Sequence, residues 1–143
     1  MTTRLTAHFA LEELTTTLHR GIDNAPPPEV VANLRRTAER MEHVRAILGD
    51  RPITVSSGYR SPALNRAVGG APRSAHLSGQ AVDFNCHGFG PPLAVCRALA
   101  ASDLSFDQLI EEGTWVHISF APPLRRQILT RKPGGGYASG LRA

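Results

Sequence analysis

Three side chains in the second half of the chain have the chemistry to share one cation. His76 lies in S-A-H-L-S-G-Q-A-V-D, a stretch that ends on Asp83, and His117 lies in E-E-G-T-W-V-H-I-S-F. Imidazole nitrogens and a carboxylate oxygen form the donor set of a catalytic zinc site, where three protein ligands leave a fourth position open to water. Spacing alone carries this only a short way, because a solitary histidine is as readily a packed or surface residue. Arg60, in S-G-Y-R-S-P, adds a planar fork of donors suited to a carboxylate or a polarised carbonyl. A structural ion pair is the plain alternative for it.

These residues need elements to carry them. Val55 and Ile53 alternate with polar neighbours, which predicts a short strand over R-P-I-T-V-S-S-G. S-P-A-L-N-R-A-V-G-G predicts a short helix with Ser61 as N-cap and Pro62 in its first turn. Q-A-V-D-F-N predicts a second strand, bearing Asp83. D-Q-L-I-E-E and T-W-V-H-I-S-F predict two strands joined by a tight turn at Gly113. If the strands that hold Asp83 and His117 pair, His76, Asp83 and His117 can meet on one sheet face.

The remaining elements are scaffold. Phe9, Leu11, Leu14 and Leu18 fall near helical spacing, so residues 8–20 are expected to form a short amphipathic helix that ends at Gly21. A-P-P-P is a turn. Residues 29–48 give the clearest helix, with an apolar stripe of Val30, Val31, Leu34, Ala38, Met41, Val44, Arg45 and Leu48. Its other face carries Arg35, Arg36, Glu39, Arg40 and Glu42, read as a solvated surface. P-P-L-A-V-C-R-A-L-A-A predicts a further helix, and P-L-R-R-Q-I-L a last helix-like piece. The Gly-rich end, 131–143, reads as a flexible tail. The expectation is α+β: one domain over 1–130, with helices packed on a small, mainly antiparallel sheet.

Composition narrows the function classes. The chain has 143 residues, 41% of them hydrophobic and 20% charged, which suits one domain with a real core. No window reaches the ~18 apolar residues of a membrane helix. The N-terminal M-T-T-R-L-T-A-H-F lacks the apolar core of a signal peptide, so the expectation is synthesis in the cytoplasm and release or export by a route not encoded here. The net charge of +4 favours an anionic partner. The basic residues are scattered with no run of five, which argues against nucleic-acid binding. Two cysteines, Cys86 and Cys96, are too few for a disulfide scaffold and read as buried thiols.

The motif S-A-H-L-S-G-Q-A-V-D fits S-x-H-x-x-G-x-A-x-D, five fixed positions in ten. Together with S-G-Y-R-S-P upstream and W-V-H-I-S-F downstream, it resembles the zinc D-alanyl-D-alanine carboxypeptidase family of the Hedgehog/DD-peptidase superfamily, which includes phage endolysins that cut peptidoglycan stem peptides. H-F-x-L-x-E-L and G-I-D-N-A-P also resemble its small single-domain members, so the likeness covers most of residues 8–120. It implies a Hedgehog/DD-peptidase-like fold, Zn2+ as cofactor, and His76, Asp83 and His117 as metal ligands. It also implies Arg60 as the arginine of the S-G-x-R segment, in a catalytic or substrate-binding role. Ser74 is a candidate to orient His76 or the substrate, or to act as an N-cap. Many members carry H-x-H, whose first histidine acts in catalysis; here that position is Trp115, which could wall a substrate cleft or pack in the core. Other members place a glutamate near the end of the preceding strand. Counting from F-D-Q-L-I selects Glu112 as general base over Glu111, and strand alternation lets only one of the two face the metal.

The implied activity is hydrolysis of peptidoglycan stem peptides by a monomeric enzyme that does not insert into membranes. It could be a D-Ala-D-Ala carboxypeptidase, an L-Ala-D-Glu or cross-link endopeptidase, or a phage or prophage lysis enzyme. The alternative is a catalytically inactive zinc-binding domain used as a cell-wall or protein-binding module.

Overall fold

The fold is described from a computed structural model over residues 2–142. Three helices, α1 (Pro28–Ile47), α2 (Pro62–Ala67) and α3 (Pro92–Ala100), accompany six strands: β1 (Thr54–Ser57), β2 (Ala81–Asn85), β3 (Gln108–Glu111), β4 (Val116–Ser119), β5 (Gln127–Arg131) and β6 (Tyr137–Ser139). The strands form one sheet in the order β1-β2-β4-β3-β5-β6. Four of its pairings are antiparallel, and β3 with β5 is parallel. The expected α+β fold with a mainly antiparallel sheet is what forms.

Strand alternation divides the sheet into two chemistries. In β2 and β4, Val82 pairs with Ile118 and Phe84 with Val116, while Leu109 of β3 lies opposite Ile118. All five are fully buried and pack with the α1 stripe of Val30, Leu34, Ala38, Met41, Val44 and Leu48, and with Val95, Cys96 and Leu99 of α3. Each large apolar side chain so buried contributes roughly 1.5–3 kcal/mol. The intervening residues face the other way: Asp83 pairs with His117, and His117 with Ile110. The core is therefore on one face and the polar residues of interest on the other.

Several expectations are corrected. Residues 8–20 hold only a 3-10 turn, Glu13–Thr15. Phe9 and Leu14 are buried but Leu18 is 96% exposed, so one apolar stripe is absent. The Leu14 carbonyl, which a helix would use internally, instead accepts the Tyr59 amide at 2.7 Å. The piece P-L-R-R-Q-I-L is not a helix; Gln127 to Leu129 enter β5, because the open edge of β3 offers a ladder from Gln108↔Gln127 to Glu111↔Thr130. Within 131–143, read as a tail, Tyr137–Ser139 pair with β5 as β6. The glycines there serve a turn: Gly134, Gly135 and Gly136 all have positive φ (85°, 107° and 79°). Glu42 on α1 is not simply solvated, since its carboxylate accepts the Thr6 hydroxyl, the His8 amide and the His8 ring, each at 2.7 Å, and ties the N-terminal segment to the helix.

Candidate metal centre

His76 enters the site on a 3-10 turn, Ala75–Ser78, whose N-cap Ser74 accepts the His76 amide at 3.2 Å. Gly79 ends the turn at φ 73° and lets the chain swing directly into β2. The imidazole is 2% exposed. Its Nδ1 lies 2.6 Å from the Gly58 carbonyl, and a carbonyl only accepts, so Nδ1 carries the proton. Nε2 is then an unprotonated lone pair, buried and without a hydrogen-bond donor to meet it. Burial pushes the His76 pKa down, with Asp83 opposing, which keeps the ring neutral.

Gly58 can present its carbonyl because it has no side chain: a Cβ there would sit 2.2 Å from the Leu14 carbonyl oxygen. The close approach of the β1 end to the N-terminal segment therefore sets the tautomer of His76. Orientation of a ligand histidine by a backbone carbonyl on its other nitrogen is the usual support of such sites.

Asp83 and His117 are direct cross-strand partners. Asp83 Oδ1 lies 2.8 Å from His117 Nδ1 and 3.3 Å from His76 Nε2, and the two rings meet edge-on at 5.2 Å. Burial alone would raise the Asp83 carboxyl; the hydrogen bond from His117, with the His76 ring close by, outweighs it and holds the group well below its ordinary range. One donor atom from each of His76, Asp83 and His117 lies within 4.8 Å of the other two. Donors bonded at about 2.0–2.2 Å to a tetrahedral ion sit roughly 3.5 Å apart, so this set suits a small divalent cation. The buried, unanswered Nε2 of His76 is the strongest sign that the cluster is built for one.

Arg60 supports the carboxylate. Its Nη2 lies 3.4 Å from Asp83 Oδ2, Nε donates to Ser57 at 3.2 Å, and Nη1 to the buried Asn65 at 3.3 Å. Three of five N–H donors are thus engaged within the protein, and two remain. The Arg60 amide also donates to the His76 carbonyl at 2.9 Å, fixing the two segments together.

Around this cluster runs a cleft lined by Arg60, Ser74, Glu112, Trp115, Arg131 and Tyr137, among others. Glu112 begins the β3–β4 turn, its amide donating to the Trp115 carbonyl at 3.0 Å. Since Ile110 pairs with His117, Glu112 two residues on shares that face. Glu111 pairs with Val116 on the core face, and its carboxylate accepts the Gly113 amide. It is near enough to add to the burial that pushes the Cys96 thiol up to about 12. Glu112 is half-buried, and burial raises its pKa, with His117 and Tyr137 opposing. The indole Nε1 of Trp115 is buried without a partner.

The other histidines lie elsewhere: His8 against Glu42, His43 3.9 Å from Asp103, and His19 and His87 exposed. Cys86 and Cys96 are free and buried. Asp107 braces the loop before β5 by a two-pronged pair with Arg125 at 2.7 and 2.9 Å. Sequence reasoning missed Asn65 and Tyr137. Asn65 lies five residues beyond Arg60 inside a helix pattern, and Tyr137 lies in a glycine-rich run, so neither carried a signal.

A sequence profile described as peptidase M15 matches residues 7–119. The zinc D-Ala-D-Ala carboxypeptidase of Streptomyces albus G is 37% identical over 82 residues. That alignment covers 57% of this chain and 31% of the relative, so the chain spans under a third of that protein's length.

Proposed function

The chain belongs to the peptidase M15 family, and from that premise we propose that it is a zinc-dependent peptidase hydrolysing peptide bonds in peptidoglycan stem peptides. His76, Asp83 and His117 would hold the ion. When bound, zinc supplies a Lewis acid that polarises the scissile carbonyl and acidifies water. The observation that carries the reading is the His76 ring, with Nδ1 committed to the Gly58 carbonyl and Nε2 left bare beside Asp83.

The chain's own groups have separable tasks. Glu112 accepts a proton from the attacking water as oxygen bonds to the carbonyl carbon, and returns it to the leaving amine nitrogen as the C–N bond breaks. Its raised pKa suits a group that must both take and give a proton. The two remaining donors of Arg60 can hold the developing oxyanion or a substrate carboxylate. Trp115 would form an apolar wall. Ser74 holds the turn that carries His76 through its bond to that residue's amide.

The basic surface, net +4, favours an anionic cell wall and supports the finer reading of a wall-lytic enzyme of phage or prophage type. The test is digestion of purified peptidoglycan by the zinc-loaded protein. Mass spectrometry should show released stem-peptide fragments and identify the bond, and a chelator should abolish them. Full activity in His117→Ala would overturn the proposal.

A second reading draws on Trp115, which stands where many resembling members carry a histidine. It takes the chain as a zinc-holding module that binds wall or protein without cutting. Glu112→Ala separates the two, since it should stop an enzyme and leave a binder intact.

A further inference from the structure

Residues 120–142 lie outside the stretch that the family profile matches, yet they build one wall of the cleft. β5 joins the sheet through its parallel ladder to β3. A tight turn follows, with the Lys132 amide donating to the Gly136 carbonyl at 2.8 Å and the Gly135 amide to the Lys132 carbonyl at 3.0 Å. It returns the chain so that Tyr137 pairs with Arg131. The far end is clamped by Thr130, whose hydroxyl donates to the Gly140 carbonyl at 2.7 Å, and by the Gly140 amide donating to the Ile128 carbonyl at 2.8 Å. The hairpin thus holds one aromatic side chain at a set place. Its phenol donates to Glu112 Oε1 at 3.2 Å.

We infer that Tyr137 is a positioning residue for Glu112, delivered to the cleft by a hairpin outside the family's matched region. This rests on the reading of Glu112 as general base. Glu112 stands at the start of a turn, where a glutamate side chain has several rotamers open to it. A bond to Oε1 removes most of them and fixes the plane in which Oε2 lies. At 3.2 Å the bond is longer than the usual 2.7–2.8 Å between oxygens, and such contacts in substrate-free sites commonly tighten when substrate binds. Tyr137 is half exposed, so it is not held there by the core, and its ring contributes little to folding. Arg131 beside it lines the same cleft and favours the charged form of Glu112.

The test uses the zinc-loaded full chain and solubilised peptidoglycan, with new amino groups as the readout, so it works whichever bond is cut. Tyr137→Phe should lower kcat about five- to tenfold, the worth of one ordinary hydrogen bond at a solvent-exposed position. KM should stay within about twofold, and zinc content and Tm should match the parent. In a Glu112→Asp background, whose shorter side chain withdraws the carboxylate from the phenol, the same change should cost less than about twofold. An unchanged kcat in Tyr137→Phe overturns the inference. Equal losses in both backgrounds also overturn it, since the phenol would then act on substrate directly, as does a loss of zinc or of Tm. Full activity in Glu112→Gln is a different failure, because it removes the reading of Glu112 as base and the inference with it.

Discussion

His76 and Asp83 are buried at the floor of the cleft, where the Gly58 carbonyl holds one nitrogen of His76 and leaves the other bare, and His117 and Arg60 hold the Asp83 carboxylate. Glu112, on the far side of the same cleft, is half-buried at the mouth of a turn and receives one phenol. The first region is built to hold donor atoms still whatever the solvent does. On the proposed reading, the second leaves one carboxylate free to exchange protons with substrate. A cation site needs fixed separations within a few tenths of an ångström. A base that takes a proton and gives it back needs access and a pKa off its resting value. The contrast follows the chemistry proposed for each side.

Substitutions on the two sides should therefore fail in different ways. The largest effect belongs to Asp83→Ala, which removes one proposed ligand and the carboxylate that lies against His76, His117 and Arg60. It should abolish zinc retention, read by metal analysis after gel filtration, and lower activity at least about 10³-fold with the lost ion. Glu112→Gln comes next: kcat should fall about 10²–10⁴-fold while zinc content stays that of the parent. Loss of zinc in that variant would break the division, since the base would then be part of the cage.

Gly58→Ala sharpens the comparison from the buried side without touching a ligand. Its Cβ would meet the Leu14 carbonyl at 2.2 Å, so the carbonyl that holds His76 must move. Stability should drop about 1–3 kcal/mol by denaturant titration, and zinc affinity about 10–100-fold by chelator competition. The loss in kcat at saturating zinc should be much smaller.

The smallest effect belongs to a pair on the same cleft that touches neither the cation cluster nor Glu112. Arg125 beside Asp107 holds its carboxyl below the ordinary value of 3.8. A depressed carboxyl stabilises the fold above its unfolded value and loses that contribution as pH falls through its folded value. Asp107→Asn should thus be slightly less stable than the parent at pH 7, and the gap should close below pH 3.8. Asp107 is buried but its partner Arg125 is half exposed, so solvent screening keeps the gap modest, and zinc content should not change.

Much of the buried side was legible in advance. Strand alternation puts Asp83 and His117 opposite the core, and a motif of five fixed positions singles out His76 and Asp83. Ser61 caps α2 as its sequence suggests, accepting the Leu64 amide at 3.2 Å. The same alternation sends Glu111 and Glu112 to opposite faces. The N-terminal segment and the C-terminal hairpin were not legible. Leu14 and Phe9 fit a helix by spacing, but spacing does not register that the Leu14 carbonyl is wanted by Tyr59. Gln127 to Arg131 have no pattern that marks a strand apart from the β3 edge that receives them.

From sequence alone follow the donor types, the sheet faces on which they fall and the kind of cation they suit, because these depend on side-chain chemistry and on local periodicity. Tertiary structure alone decides which nitrogen of His76 is bare, what braces Asp83, and that Tyr137 meets Glu112. Each of those depends on a contact between residues far apart in the chain: Gly58 with His76, Arg60 with Asp83, and residue 137 with residue 112. Backbone carbonyls and edge strands carry no residue-type signature, so only the folded arrangement can assign their partners.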